Sequence, residues 1–357
     1  MTKAQQFWRS KTVRGEALPR SEEPVALPPG LSWVELTTIP TLQVFLAQNF
    51  GSTEQSFGIV YSAEYLTWAL NDQRPFTALG LQHHQTLVGF CKGWRVWLSV
   101  DATEPPQPFL VTSFLCLHTS YRGQAWVERL LNEMLRRMAA LDLRYGLAIS
   151  AKALQRRPLV ETRYYNRFLN PVKLLNVGFF HYPRLTPQRA QKLYPIPARS
   201  DQFQPLQPFQ LDALTVFLNQ QLKAFRLRQH FEDRAATQRL FLPTPGVNQT
   251  AVECDAQGAL LRLYSYHIVT LQKGATVVRA AYVLYVLGEN DLLEAWRQLL
   301  ADAHAQGCDL VVATDHMRFA EVREALAFKE SPAVRKYFLF NHPPLSLQRS
   351  DVAFTWI

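Results

Sequence analysis

The stretch FLVTSFLCLHTSYRGQAWVERLLNEMLRRM, residues 109–138, decides the fold. It opens with an apolar run that predicts a buried strand ending near His118. It closes with apolar residues at helical spacing, which predict a helix with one core-facing stripe. That stripe consists of Trp126, Leu130, Leu131, Met134, Leu135 and Met138. A strand followed at once by an amphipathic helix indicates a fold in which helices pack against a sheet.

The short turn between this strand and helix, TSYRGQ, has the composition of an anion site. Backbone amides at a helix N-terminus point outward without partners, and the helix dipole adds positive potential. A strand, a glycine-bearing turn and a helix therefore form a cradle for phosphate oxygens, with a geometry that suits a pyrophosphate. Arg122 adds a charge-assisted contact, and Gly123 lets the backbone come close. The sequence lacks GxxxxGK[ST], which excludes a nucleoside-triphosphate loop. The alternative is a basic strand-to-helix turn with no ligand.

The composition is that of a globular protein with a basic surface. The chain has 357 residues, of which 48% are hydrophobic, enough for one large core or two fused ones. Its formal net charge of +9 favours anionic partners, including a phosphorylated cofactor. The basic residues are dispersed, with no arginine-rich tail and no zinc-finger spacing. We therefore expect no nucleic-acid partner.

Neither membrane insertion nor metal binding is expected. No apolar run approaches the roughly 20 residues that cross a bilayer, and the N-terminus lacks the apolar core of a signal peptide. We expect a cytoplasmic monomer without a transmembrane segment. The four cysteines are scattered singly, so we expect reduced thiols. His83 and His84 are adjacent, which suits an exposed turn better than a chelate, and we expect no metal site.

The order of predicted elements in the first half of the chain returns, loosely, in the second half. In the first half we predict helices at 41–50, 63–70 and from Trp126, strands at 87–100, 109–118 and 145–151, a short helix YYNRFL from Tyr164 and a strand NVGFFHY from Asn176. In the second half we predict helices from Leu211 and at 291–305 and 321–328, and strands from Ala259, Val277, Asp309 and Val334. Two similar α+β units are implied, 1–198 and 199–357. The proline-rich segment PIPARSDQFQPLQP from Pro195 is the natural seam between them.

Several segments of the chain resemble known acyltransferases. YRGQAWVERLL resembles the coenzyme A pyrophosphate loop of GNAT acyltransferases, whose signature is Arg/Gln-x-x-Gly-x-Gly/Ala ahead of a helix. A stronger resemblance, to the N-myristoyltransferase family, extends over nearly the whole chain. The matching segments occur in family order: QFW at 6–8, LPPGLSWVEL from Leu27, YSAEYLTWAL from Tyr61, FLCLHTSYRGQ from Phe114, RYYNRFLNPVKLLNVGFFHY from Arg163, TPQRAQKLYPIP from Thr186 and KYFLFN from Lys336.

The resemblance implies both a fold and a reaction. The fold is α+β: two fused GNAT-like units with pseudo-twofold symmetry, built on a central twisted mixed sheet flanked by helices. The reaction transfers a myristoyl group from myristoyl-CoA to the N-terminal glycine amine of a protein by direct attack on the thioester. Carried over from the family, the backbone N–H groups of Phe114 and Leu115 form the oxyanion hole, and the C-terminal carboxylate of Ile357 is the base. The first unit then binds acyl-CoA, and the second binds the peptide and supplies the carboxylate.

The resemblance also implies binding residues. Acyl-CoA is a co-substrate, with no cofactor bound permanently, and peptides and proteins that begin with glycine are the partners. The acyl-CoA contacts that carry over are Gln6, Phe7, Trp8, Arg122, Gly123, Gln124 and Ala125. The peptide contacts that carry over are Ser150, Tyr164, Asn166, Ser265 and Tyr282. For each peptide contact the alternative is an exposed polar side chain without a ligand.

The proposed base requires a buried chain end. An amine with a pKa of about 8 is largely protonated at neutral pH, whereas the carboxylate of an α-carboxyl group with a pKa of about 3.5 is a weak base in water. Desolvation reduces the difference between these two pKa values, because it raises the pKa of a carboxyl group and lowers that of an amine. The final residues, VAFTWI from Val352, are apolar enough to be buried. The alternative is a tail packed only for stability.

The sequence departs from the family where the peptide would bind. The family's acidic run is NFGSTE from Asn49 here, its histidine after YW is Asn166, and its glycine-rich segment near the end is KESPA from Lys329. We therefore expect a divergent member with an altered peptide choice. Two alternatives remain, a GNAT-type transferase of a shorter acyl group and an inactive module that binds acyl-CoA or a lipopeptide.

Overall fold

One mixed sheet runs through the described part of the chain and joins its two halves. The computed structural model describes residues 23–36, 38–50, 56–70, 76–101, 104–141, 143–151, 157–181, 185–289, 291–343 and 345–355. The predicted site residues Gln6, Phe7, Trp8 and Ile357 therefore lie outside the described residues. The described strands form a single sheet of fifteen.

The first half and the second half contribute strands and helices in the same order. The strands are β1 Leu31–Glu35, β2 Gly58–Val60, β3 Phe76–His83, β4 Thr86–Ser99, β5 Gln107–Leu117, β6 Tyr145–Ser150, β7 Val160–Phe168, β8 Gln204–Pro205, β9 Leu227–His230, β10 Asn248–Cys254, β11 Leu260–Lys273, β12 Thr276–Gly288, β13 Leu310–Thr314, β14 Lys329–Phe340 and β15 Val352–Ala353. The helices are α1 Ile39–Asn49, α2 Ala63–Leu70, α3 Trp126–Ala139, α4 Pro171–Asn176, α5 Pro187–Leu193, α6 Leu211–Leu222, α7 Arg234–Phe241 and α8 Leu292–Ala305.

Sheet order shows the pseudo-twofold symmetry. The main path is β1-β3-β4-β5-β6-β14-β7-β13-β12-β11-β10-β8. On one side β5 runs parallel to β6, with α3 between them in sequence, and on the other side β12 runs parallel to β13, with α8 between them. The symmetry centre lies between β14 and β7. The predicted α+β fold, two pseudo-symmetric halves around one mixed sheet flanked by helices, is confirmed.

The two halves exchange strands symmetrically. Strand β7 belongs to the first half in sequence, yet both of its neighbours, β13 and β14, belong to the second. Strand β14 in turn lies between β6 and β7 of the first half. A smaller exchange repeats the pattern, because β2 pairs with β11 and β9 pairs with β4. The halves are thus interleaved by backbone hydrogen bonds.

The stretch that opens the sequence argument folds as predicted. Strand β5 ends at Leu117 and α3 begins at Trp126. Five of the six stripe residues are buried, and Leu135 is half-buried against the same cluster. Because this stripe packs on β3, β4 and β5, the helix start is held directly beyond the end of β5. The packing therefore fixes the position of the turn at 118–125.

Three of the predicted elements are wrong. The predicted helix from Tyr164 is part of strand β7, because partner strands are available on both sides. The predicted strand from Asn176 follows α4, where the Asn170 side chain accepts a hydrogen bond from the Lys173 amide and caps the helix. A turn at 177–179 follows, and residue 182 lies outside the described residues. The predicted helix at 321–328 is a 3₁₀ turn at Phe319–Glu321 followed by further turns.

Candidate active site

A bulge interrupts strand β5 at the residues predicted to form the oxyanion hole. Cys116 pairs with Phe90 and Ser113 pairs with Lys92, so Phe114 and Leu115 together oppose the single residue Cys91. Phe114 has φ +52° and is buried, whereas Leu115 is 36% exposed. A bulge takes one residue out of the regular ladder and bends the strand. A left-handed backbone is uncommon for a bulky side chain, and such strain often marks a functional site.

The second half carries a related bulge without the left-handed residue. In the β11–β12 ladder the register shifts between Ser265 and Tyr266, which leaves Leu284 as the extra residue of β12. Strand β12 is the counterpart of β5, and Leu284 does not have positive φ. The two halves therefore share the fold but differ at this point.

Aromatic side chains lead from the bulge to the C-terminal segment. The Phe114 ring meets Tyr61 edge-on at 5.1 Å, and Tyr61 stacks on Tyr65 at 5.2 Å. The Tyr65 hydroxyl lies 3.0 Å from Nδ1 of His267, whose ring lies 5.6 Å from that of Tyr282. We call this set, together with Tyr164 and Tyr337, the aromatic row. Burial raises the pKa of Tyr61, Tyr65, Tyr282 and Tyr337, so these hydroxyls stay protonated at neutral pH.

The far end of the aromatic row holds the chain's last described residues. The Tyr337 hydroxyl donates to the carbonyl of Phe354 at 3.2 Å. Strand β15 runs parallel to β9, and Phe354 and Thr355 are buried. The prediction that the apolar C-terminal segment is buried is therefore confirmed for Val352–Thr355. The role of Ile357, which lies outside the described residues, stays a prediction.

The turn between β5 and α3 presents an uncapped helix start. Gly123 has φ +80°, and Ala125, the N-cap residue of α3, has φ +59° and makes no side-chain cap hydrogen bond. The Arg122 guanidinium donates to the carbonyls of Leu117 and Asn49, which ties the turn to the end of α1. Gln124 donates to the Ser120 carbonyl at 3.3 Å. The first-turn amides of α3 are therefore not satisfied by a cap, and phosphate binding at 122–125 stays a prediction.

The equivalent helix start in the second half is filled by the protein itself. The Asp291 side chain accepts a hydrogen bond from the Leu293 amide and caps α8. Arg318 donates to the carbonyls of Gly288 and Glu289, and Arg262 donates to the carbonyl of Asp291. A carboxylate at this position repels a second anion. Of the two pseudo-equivalent turns, the one in the first half is thus the better phosphate site.

The structure groups some of the predicted peptide contacts and separates others. Tyr164 and Tyr282 are half-buried and both belong to the aromatic row. Ser265 is fully buried, with its hydroxyl 2.8 Å from that of Thr250. Ser150 ends β6 beside Lys336 of β14, and Asn166 lies on β7 between Val312 and Lys329. All five stay predictions, and the Ser265 hydroxyl already has a hydrogen-bond partner on the neighbouring strand β10.

Sequence reasoning missed the polar residues buried beside the aromatic row. Arg335 is 8% exposed and donates to the Tyr164 hydroxyl at 2.9 Å. His267 and His316 are buried as well, and the pKa of each is lowered to about 3 by burial and by the nearby charge of Arg335. One sequence signal was available for Arg335. It stands two residues before Tyr337 on an aromatic strand, which places both on one face.

The two histidines should make the fold labile to acid. Their pKa of about 3 in the folded chain lies below the value of about 6.5 expected when unfolded. Between these values the unfolded chain binds more protons, so the free energy of unfolding falls as the pH drops below about 6.5. Each histidine should account for roughly 2 kcal/mol between pH 7 and pH 5. Denaturant titrations between pH 7 and pH 5 measure this loss of the free energy of unfolding. In a double variant His267→Gln, His316→Gln the free energy of unfolding should depend less on pH. An unchanged pH dependence in the double variant would contradict the assignment.

Family models match both halves of the chain. The family model described as "Myristoyl-CoA:protein N-myristoyltransferase, N-terminal domain" matches residues 15–155. The C-terminal domain model of the same family matches residues 176–351. The chain belongs to the N-myristoyltransferase family.

Relatives of known name are distant in sequence but similar over most of their length. Glycylpeptide N-tetradecanoyltransferase 2 of Bos taurus is 27% identical over 90% of this chain and 67% of its own. Glycylpeptide N-tetradecanoyltransferase of Drosophila melanogaster is 26% identical over 92% of this chain and 73% of its own. The Saccharomyces cerevisiae N-myristoyltransferase crystallised with bound myristoyl-CoA superposes with a TM-score of 0.90 at 19% identity, over 99% of this chain and 94% of the yeast chain. That superposition establishes the N-myristoyltransferase fold for this family member.

The described residues contain neither a membrane-spanning helix nor a cluster of metal ligands. None of their helices combines the length and the apolar character needed to span a membrane. Within the same residues, no three His, Cys, Asp or Glu side chains are grouped in a way that would hold a metal ion. The four cysteines form no disulfide with one another.

Proposed function

We propose that this protein transfers a myristoyl group from myristoyl-CoA to the N-terminal glycine amine of peptides and proteins. Membership of the N-myristoyltransferase family supports the reaction class. The observation that carries the mechanism is the β5 bulge, because it takes Phe114 and Leu115 out of the regular ladder next to the aromatic row. In the proposed mechanism their N–H groups donate to the oxygen of the thioester carbonyl and stabilise the oxyanion.

The chemistry proceeds by direct attack. The carboxylate of Ile357 takes a proton from the glycine ammonium, and the neutral amine attacks the thioester carbonyl carbon. A carbon–nitrogen bond forms, the carbon–sulfur bond breaks, and the coenzyme A thiolate leaves and takes up the amine's second proton. In other enzymes, removing one oxyanion donor costs about 3 kcal/mol of transition-state stabilisation. Two backbone amides can therefore stabilise the oxyanion substantially.

The surroundings support a carboxylate base at the end of the aromatic row. Val352–Thr355, the last described residues, are buried. The tyrosines nearby stay protonated, so they add no negative charge that would compete for the ammonium. Desolvation raises the pKa of a carboxyl group and lowers that of an amine, which brings the two closer together.

We propose a division of labour between two halves that meet at 198 and 199. The first half, 1–198, binds acyl-CoA through Gln6, Phe7, Trp8 and the turn at 122–125. The second half, 199–357, binds the peptide and supplies the carboxylate. The uncapped start of α3 and the capped start of α8 support this assignment, because they leave the better anion site in the first half. The reaction takes place in the cytoplasm in this proposal.

Mass spectrometry of products tests the proposed function. Incubation with myristoyl-CoA and a library of peptides that begin with glycine should give peptides heavier by one myristoyl group on the glycine amine. Peptides with an acetylated N-terminus are the control and should stay unmodified. Transfer of acetyl in preference to myristoyl would instead show a transferase of short acyl groups. Tight binding of myristoyl-CoA without cleavage of the thioester would show a binding module.

A substitution at Gly123 should weaken acyl-CoA binding. Gly123 has φ +80°, and no atom of the described residues lies within 4 Å of the position of an added Cβ. Strain alone therefore opposes a side chain, at roughly 1–2 kcal/mol. Gly123→Val should raise KM for myristoyl-CoA by about tenfold, because relief of that strain moves the backbone amides of the turn.

Gly258 offers a matched control for this substitution. It has φ +84° and equally open surroundings, but lies in the turn between β10 and β11. Gly258→Val should lower the melting temperature by a similar amount and leave KM for myristoyl-CoA unchanged. Equal effects of the two variants on KM would show that the turn at 122–125 is not part of the acyl-CoA site.

A further inference from the structure

Arg335 is a buried cation without a carboxylate partner among the residues that the structure describes. It is 8% exposed, its Nε donates to the Tyr164 hydroxyl, and its guanidinium carbon lies 5.0 Å above the Tyr164 ring. The Tyr337 hydroxyl also lies close to its charge. A guanidinium has five N–H donors in a planar fork that matches a carboxylate. Two neutral hydroxyls do not compensate a buried positive charge, so this position favours an anion.

The acidic residues on the neighbouring strands are already paired with other cations. Glu330 accepts from Arg163, and Glu161 lies 3.5 Å from Lys336. Asp315 accepts from Arg349 at 2.8 Å and from the Arg163 amide at 2.6 Å. The described carboxylates of β7 and β14 thus pair with other cations, and neither of them neutralises Arg335.

The histidines beside Arg335 do not supply the missing charge. His267 and His316 are buried, and burial together with the charge of Arg335 keeps both neutral. Neutral imidazoles and protonated tyrosines offer a carboxylate no repulsion. The described surroundings of Arg335 therefore leave its positive charge uncompensated at neutral pH.

The chain's own C-terminal carboxylate is a poor candidate for this partner. An ion pair with a guanidinium lowers the pKa of a carboxyl group, which would remove the basicity that the proposed mechanism requires of Ile357. Phe354 of the C-terminal segment accepts a hydrogen bond from Tyr337, whereas the Nε of Arg335 donates to Tyr164. Tyr164 and Tyr282, the predicted peptide contacts, are half-buried and adjoin Arg335. An anion that pairs with Arg335 would thus come from the peptide side.

We propose that Arg335 is a specificity-determining residue that binds the carboxylate of an Asp or Glu side chain close to the N-terminal glycine of the peptide substrate. The inference rests on the proposed function, because it names the class of peptide that the same site selects. It predicts that acidic peptides are acylated in preference to their neutral isosteres. A bidentate charge-assisted pair of this kind should be worth about 10- to 100-fold in kcat/KM.

Matched peptides and matched variants test the proposal. The peptides all begin with glycine and form pairs that differ at one later position, where one member has Glu and the other has Gln. kcat/KM is measured for both members of each pair. The wild-type protein should prefer Glu by at least about tenfold at one position. Arg335→Gln should bring that ratio close to one. Lys336→Gln, which removes the adjacent charge paired with Glu161, should leave the ratio as in the wild type.

The possible results separate this inference from the proposed function. Acylation of Glu and Gln peptides at equal rates, or a ratio that persists in Arg335→Gln, would overturn the role of Arg335. If no peptide is acylated, the proposed function fails. The role of Arg335 is then tested by the Kd of the same peptides, each carrying a fluorescent label, in the presence of myristoyl-CoA. A preference for Glu in Kd would support it, and equal Kd values would overturn it. If Arg335→Gln does not fold, the wild-type Glu-to-Gln ratio decides alone.

Discussion

Extending the chain by one glycine beyond Ile357 should reduce kcat by about 10²- to 10⁴-fold, the usual contribution of a positioned general base. One residue moves the terminal carboxylate by up to about 3.6 Å, beyond hydrogen-bond reach of an amine that the bulge amides and the thioester hold in place. The buried segment Val352–Thr355 fixes the path of the chain up to Thr355. Steady-state kinetics with myristoyl-CoA and a glycine peptide measure the effect.

Two controls isolate the carboxylate. Ile357→Val keeps the length of the chain and should keep most of the activity. The Kd of myristoyl-CoA for the extended protein should equal that of the wild type, since the extension does not involve the turn at 122–125. Unchanged turnover in the extended protein would show that Ile357 is not the base.

Separating the chain at 198 and 199 should abolish folding of both pieces. In the first piece β7 loses both neighbours, because β13 and β14 belong to the second piece. In the second piece β14 loses both β6 and β7. Each isolated piece would expose apolar side chains and unpaired strand edges, which favours aggregation. Separate expression followed by circular dichroism and size-exclusion chromatography measures the result.

Cleavage of the folded protein at the same place is the matched control. Ala198 and Arg199 are exposed, so a protease site inserted there is accessible. The cut protein should stay associated and active, because the exchanged strand pairs do not depend on the connecting peptide. An isolated piece with a cooperative unfolding transition would contradict the interleaved arrangement.

Local patterns in the sequence predicted the elements that carry the site. The apolar stripe located the start of α3 at Trp126, and the strand before it ended within a residue of the observed Leu117. The repeat in the order of elements predicted two related halves, as observed. These features depend on spacing along a single segment, which the sequence displays directly.

Features that depend on distant segments were not predictable in the same way. YYNRFL from Tyr164 was predicted as a helix, yet it pairs with residues about 150 positions away in sequence, and those partners select the strand. The bulge at Phe114 and the strand exchange arise from pairing between segments, and no local pattern encodes them. Arg335 was missed for the same reason, since its burial depends on Tyr164 from another strand.

The hydrogen bonds from the bulge amides to the thioester are the central element of the proposed mechanism. Infrared difference spectroscopy with myristoyl-CoA labelled with carbon-13 at the carbonyl observes that bond directly in the bound state. If the N–H groups of Phe114 and Leu115 donate to the carbonyl oxygen, the labelled band shifts to lower frequency when myristoyl-CoA binds. A bound carbonyl that absorbs at the same frequency as in water, or at a higher one, would contradict the mechanism.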